Sequence, residues 1–187
     1  MYSTSEFRKG LKIELDGKPF IIVDFLHVKP GKGGAFVRTK LRNLITGAVI
    51  ERTFRSGERV ERPNLTEKKM QYHYKDDDGF HFMDMENYEQ VYLTRDHVGD
   101  SMNFLADNLE LVVLYHDEKP ISLDLPTFVE IAIAETEPGV RGDTATGGTK
   151  PAKLTTGYVV LVPLFVEEGD VLRIDTRTGA YIERVTK

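Results

Sequence analysis

The 187-residue chain contains no cysteine. It therefore has no disulfide framework, no thiol nucleophile and no thiolate metal site, which fits a reducing compartment. A secretory leader is not expected either, because the opening "MYSTSEFRKG" has no apolar segment. The longest apolar run, Tyr158 to Val166, is about half the length of a membrane-spanning helix and contains Pro163. The expectation is a soluble, cytoplasmic protein with no membrane partner. Helical periodicity is scarce: the best candidate is Asp100 to Leu109, where Asp100 or Ser101 could cap a turn or two before Leu105. Catalytic signatures are missing as well. His27, His73, His81, His97 and His116 are scattered, with no H-E-x-x-H, no G-x-S-x-G and no metal-ligand spacing. Carboxylates distant in sequence could still converge, but no constellation suggests an enzyme, a metal or a cofactor.

Strand signals fill the space that helices leave. Leu11, Ile13 and Leu15 alternate with Lys12 and Glu14, Asp16-Gly17 marks a hairpin turn, and "PFIIVDF" returns. Further hairpins are predicted where "AFVRTKL" and "AVIERTF" flank "RNLITG", where "MQYHY" and "FHFMD" flank "KDDDG", and where "LELVVLYH" and "ISLDL" flank "DEKP". "FVEIAIA" alternates, "YVVLVPLFV" reads as a buried run, and "VLRID" and "AYIERV" flank "TRTG". Short strands with turn signals every 8–12 residues indicate sandwiches or barrels. Polar breaks around Pro63 and Pro126 divide the chain into 1–63, 64–127 and 128–187, each small but large enough to fold. The second and third share a plan of hairpin, longer connection and hairpin, without a strict repeat.

The net charge of −5 hides a segregation. Residues 1–63 hold 13 Lys/Arg and 7 Asp/Glu, whereas residues 64–128 hold 5 and 14. A basic end on an acidic chain fits one end meeting a polyanion while the middle stays clear of it. Within the basic end, "VKPGKGGAF" places Lys32 between Gly31 and Gly33, with Lys29, Pro30 and Gly34 around it. Proline fixes φ and glycine relaxes it, so the stretch reads as a tight reversal with Lys32 at its tip. It is no nucleotide cradle, since Leu26 stands where a P-loop needs glycine and a strand follows the lysine. An ordinary hairpin with a solubilising lysine is the plain alternative. Against it, flanking glycines would let the tip enter a narrow cleft, and Arg38, Lys40 and Arg42 follow at spacing two on one face. A basic stripe leading to a bare lysine suits phosphate tracking.

The segment "PGVRGDTATGGTKPAK" is rich in glycine and threonine, with Arg141, Lys150 and Lys153. Long structureless loops are usually functional or mobile linkers, and short hydroxyls with free amides suit contacts to a nucleic-acid backbone. Tyr72, Tyr74, Phe80 and Phe82 could stack bases on an OB-type face. They lie beside Asp76, Asp77 and Asp78, so core packing is the expected role for all four.

These two loops carry a resemblance. "VKPGKGGAFVRTKLRNL" and "GDTATGGTKPAKLTTGYVVLVPLFV", together with "FRKGLKIELDGKPF", "TFRSGE", "FMDMENYEQ" and "IDTRTGAY", resemble the bacterial translation elongation factor P family along the whole chain. The related initiation factor five-A is similar over the first two units only. The resemblance implies an all-β fold of three small β-barrels in a row, an N-terminal KOW/SH3-like barrel followed by two OB-fold barrels. It implies a monomeric non-enzyme that binds the 70S ribosome beside the P-site peptidyl-tRNA and relieves stalling on consecutive prolines. Lys32 would be the post-translationally extended residue, requiring a separate lysine-modifying enzyme. Arg38, Lys40 and Arg42 would face tRNA or rRNA. Gly142, Asp143 and Thr144 would lie near the mRNA in the exit site. The rival reading is a general single-stranded RNA-binding OB-fold protein.

Overall fold

A computed structural model describes residues 1–139 and 148–185. The chain begins with β1 (Tyr2–Ser3), β2 (Lys12–Leu15), β3 (Lys18–Val28), β4 (Phe36–Asn43), β5 (Val49–Arg55) and β6 (Arg59–Val60). Strands β2 to β5 form an antiparallel sheet in sequence order, and β1 pairs with β6. The β2–β3 reversal uses Asp16 and Gly17 at φ +52° and +71°, the two left-handed positions a two-residue hairpin requires. Val37, Thr39 and Leu41 point inward from β4 onto Phe7, Ile13, Ile22 and Phe54, which form the core of this part.

The middle of the chain supplies β7 (Leu65–Lys75), β8 (Phe80–Asp84), β9 (Gln90–Leu93), α1 (Arg95–Val98), β10 (Glu110–His116) and β11 (Lys119–Asp124). The last third supplies β12 (Phe128–Thr136), β13 (Thr149–Leu154), β14 (Val159–Pro163), β15 (Val171–Asp175) and β16 (Ala180–Arg184). The sheet orders are β11-β10-β7-β8-β9 and β14-β13-β12-β15-β16. Counting each set from its own first strand, both run 3-2-1-4-5. The shared hairpin plan visible in the sequence is thus one topology used twice, although side chains do not repeat. The chain is all-β and built of barrel-like sheets. Among the described residues, no helix is long and apolar enough to cross a membrane.

Two compact units emerge, Met1–Glu67 with Leu114–Ser122, and Lys68–Val113 with Leu123–Lys187. Inside the first, the buried His116 places Nε2 3.1 Å from Glu14 Oε2, and the Asn64 amide donates to Asp117 at 3.1 Å. Asp117 and Glu118 form the β10–β11 turn at φ +47° and +65°. Lys119 and Pro120, expected in that turn, therefore already belong to β11. Inside the second unit, Phe104 packs into the core made by Val129, Ile131, Leu154, Val162 and Leu172. Its ring meets Tyr158 edge-on at 5.3 Å, and the Thr156 hydroxyl donates to the Asn103 carbonyl at 2.7 Å.

Three expectations need correction. The helical stretch is not Asp100 to Leu109 but Arg95–Val98, continued as a 3-10 helix over Gly99–Phe104. Val98 and Phe104 are the side chains this stretch buries, and Asn108, at φ +61°, already turns toward β10. The "YVVLVPLFV" run is only half buried: Val160 and Val162 face the core, whereas Val159, Leu161 and Phe165 are exposed. β14 is the edge strand of its sheet, and its residues alternate between exposed and buried along Val159–Val162. Finally, Tyr72, Phe80 and Phe82 are core residues, but Tyr74 stands outside.

Two substitutions test this packing. Phe104→Ala should cost about 3–5 kcal/mol of unfolding free energy through lost burial and a residual cavity, read from urea denaturation of the full chain. Thr39 is fully buried and its hydroxyl has no partner among the described residues. Valine keeps the branched shape without an unsatisfied polar atom, so Thr39→Val should gain about 1 kcal/mol in the same measurement.

Candidate nucleic-acid interface

The β3–β4 hairpin outruns the barrel that it builds. Pairing continues to Val28 opposite Phe36, leaving a seven-residue loop from Lys29 to Ala35. Along β3, Ile22 is buried, a bulge intervenes, and Asp24, Leu26 and His27 are exposed. A bulge changes which side of the strand faces the core, so the outer half of β3 carries few core contacts. Phe25 alone packs back, with the His27 ring edge-on to it at 5.6 Å.

Lys29, Pro30, Gly31, Lys32, Gly33 and Gly34 are all exposed. Gly33 sits at φ +110°, a conformation L side chains rarely adopt, so its glycine is required by the backbone. Gly31 and Gly34 are different. Neither has a positive φ, and a Cβ at either would meet nothing within 4 Å. Their bareness serves no contact among the described residues. It keeps the flanks of Lys32 thin. Among the described residues, Lys32 has no carboxylate partner in ion-pair range.

The expected basic stripe is present in direction. Arg38, Lys40 and Arg42 are exposed, while Val37, Thr39 and Leu41 between them are buried. What the sequence did not reveal is the company they keep. Across the ladder, Arg38 faces Leu26 and Thr53, and Arg42 faces Ile21 and Val49. Lys40 stands between Asp24 and Glu51. Asp24 is itself held by Lys9 Nζ at 2.9 Å, which with a weaker pull from Lys40 keeps its carboxyl below the usual range. The stripe is therefore strongest at its two ends, and Arg38 is the end nearer the loop. The hidden signal was register: following the β3–β4 ladder outward from the Ile22–Leu41 pair places Asp24 beside Lys40 only once the bulge is included.

The glycine-rich segment offers less. Gly142, Asp143 and Thr144 lie outside the described residues, as does Arg141. Its roots are described. Lys150, expected among nucleic-acid contacts, is instead buried and donates to the Glu137 carbonyl at 2.6 Å. Lys153 lies 3.8 Å from Glu135. Gly139 and Gly148 both abut Leu164, where a Cβ would approach its carbonyl to 2.5 Å or its Cδ1 to 3.1 Å. The segment thus springs from a closely packed base. Among the described residues no group of three or more His, Cys, Asp or Glu could hold a metal ion.

Comparison with known proteins places this geometry in a family. The elongation factor P KOW-like domain matches residues 3–60, the elongation factor P OB domain residues 65–123, and the elongation factor P C-terminal domain residues 129–184. Elongation factor P of Bdellovibrio bacteriovorus is 54% identical across 100% of both chains. That of Carboxydothermus hydrogenoformans is 56% identical over 99% of this chain and 100% of its own. Among solved structures, eukaryotic translation initiation factor 5A from Methanococcus jannaschii shares the fold over 64% of this chain and 88% of its own, at a TM-score of 0.55 and 24% identity. Three consecutive domain matches and full-length identity above one half show that the chain belongs to the elongation factor P family of translation elongation factors.

Proposed function

We propose that this translation factor binds the 70S ribosome beside the P-site tRNA and speeds peptide bond formation where consecutive prolines stall it. The observation that carries the reading is Lys32: an exposed ammonium without a carboxylate partner among the described residues, on a long hairpin where a side chain at Gly31 or Gly34 would meet nothing within 4 Å. Such a tip suits a narrow, anionic cleft. Its ε-ammonium is a point cation on a flexible four-carbon stem, suited to phosphate, and its amine is a natural site for covalent extension by a separate lysine-modifying enzyme. Arg38 and Arg42, with Lys40 between its two acids, would meet the tRNA or rRNA backbone as the hairpin enters. Gly142, Asp143 and Thr144 would approach the mRNA in the exit site.

The chemistry remains the ribosome's. Prolyl residues are rigid and react slowly, so holding the peptidyl-tRNA end in a near-attack arrangement is a sufficient contribution. In this reading the factor is not itself an enzyme, acts in the cytoplasm, works as a monomer and needs no cofactor. The division into 1–63, 64–127 and 128–187 belongs to the same proposal. It draws support from the three domain matches, whose limits fall near Pro63 and Pro126.

Pro-Pro-Pro peptide formation in a reconstituted bacterial translation system tests it. Protein purified from its own cells, with the lysine mass checked, should restore synthesis. Lys32→Ala should lower the rate at least about tenfold, equivalent to about 1.4 kcal/mol of barrier, while still co-sedimenting with ribosomes. Full rescue by the variant would remove Lys32 from the mechanism. No rescue by the native protein would favour the RNA-binding reading.

A further inference from the structure

The OB-type sheet of the middle region carries an exposed row of rings that the function above does not use. Tyr74 on β7, His81 on β8 and Tyr92 on β9 are direct cross-strand partners on three adjacent strands. The Tyr74 and His81 rings stack at 4.4 Å with 16° between planes, and Tyr92 tilts onto His81 at 5.6 Å. Their neighbours on the other face, Tyr72, Phe80 and Phe82, are buried. The row is not spare core, for Tyr74 and Tyr92 remain 49% and 44% exposed.

The row is also held in place. His81 Nε2 lies 2.6 Å from Asp76 Oδ2, and the other Asp76 oxygen accepts the backbone N–H groups of Asp78 and Gly79 at 3.0 Å. The Tyr92 hydroxyl donates to the Asp78 carbonyl. Gly79 leaves no room for a side chain, since a Cβ there would stand 2.9 Å from the Tyr92 ring and 2.6 Å from the Leu93 carbonyl. The loop between β7 and β8 and the rings are thus one assembly.

Ring rows on OB faces suit nucleobases, but the rim here has the wrong sign for a polyanion. Asp77 and Asp78 are exposed beside the rings, with no cation partner among the described residues. Lys75, the nearest cation in sequence, pairs with Phe80 and lies over that ring on the opposite face. Aromatic faces rimmed by carboxylates favour a planar cation, and guanidinium stacks on rings where an ammonium does so less well.

We propose that the Tyr74–His81–Tyr92 row with Asp77 and Asp78 is a docking surface for an arginine-bearing segment of a basic protein. The commitment rests on charge complementarity: two free carboxylates at the edge of half-exposed rings.

The test is fluorescence anisotropy on the full chain at low and moderate salt, with three labelled probes: an arginine-glycine peptide, the matching lysine-glycine peptide, and poly(U). The arginine peptide should bind more tightly than the lysine peptide. Tyr74→Leu, which keeps apolar bulk but removes the ring, should weaken it about threefold, and Tyr74→Phe should not. Asp77→Asn with Asp78→Asn should weaken it further and flatten its salt dependence, whereas Glu110→Gln, a carboxylate elsewhere on the sheet, should leave it unchanged. An unchanged melting temperature of Tyr74→Leu separates ring loss from unfolding. Arginine-peptide binding that ignores Tyr74→Leu would overturn the proposal, as would equal loss in the Glu110 control or no binding of either peptide. Poly(U) binding that Tyr74→Leu abolishes would overturn it in favour of base stacking.

Discussion

The exposed lysine loop and its basic stripe both depend on the register of one hairpin. Side chains on a strand alternate with a period of two, so a slip of one residue between β3 and β4 would turn Val37, Thr39 and Leu41 to water and Arg38, Lys40 and Arg42 into the core. Burial of the first three fixes the strand, and the outward basic residues follow without any interaction of their own. The same register sets where pairing ends, at Val28 and Phe36, and so how far from the barrel core the loop begins. That set includes Thr39, whose buried hydroxyl has no partner among the described residues.

Much of this was legible in the sequence because the relevant signals are local. Alternation located the four leading hairpins, and Asp16-Gly17 fixed its own turn. Composition separated a basic first third from an acidic middle. What escaped depends on neighbours brought from other strands. Asp24 and Glu51 flank Lys40 only through the ladder, and the bulge after Ile22 shifts the count by one. Lys150 looked like a contact in a polar loop, yet the chain buries it and satisfies it with the Glu137 carbonyl. Tyr74 was indistinguishable from Tyr72 by type, but another bulge, between Tyr72 and Tyr74, intervenes before the hairpin end. The end of the helical segment was misplaced for a similar reason: Phe104, its last residue, packs into a core formed by residues beyond 128.

The two five-stranded sheets make the same point about function. They share a strand order, and so share the places where loops emerge, but their surfaces differ. One carries aromatic rings beside an acidic turn, the other a glycine-rich connection rooted on Leu164. Topology fixes where a site can be built, and side chains decide its chemistry.

If Lys32 acts as proposed, its tip illustrates how little chemistry such a site requires. Strand pairing runs up to Val28 and Phe36, so in the proposed role the loop residues beyond them, Lys32 and its glycines among them, would be the part left to adjust. If the whole loop had to order on binding, each residue would cost about 1–2 kcal/mol of backbone entropy. Pro30 and the paired strand ends reduce that cost in advance, leaving the lysine stem as the main part to be immobilised. A factor that acts by positioning gains most from this arrangement, because every degree of freedom already lost before contact is one that the bound geometry need not remove.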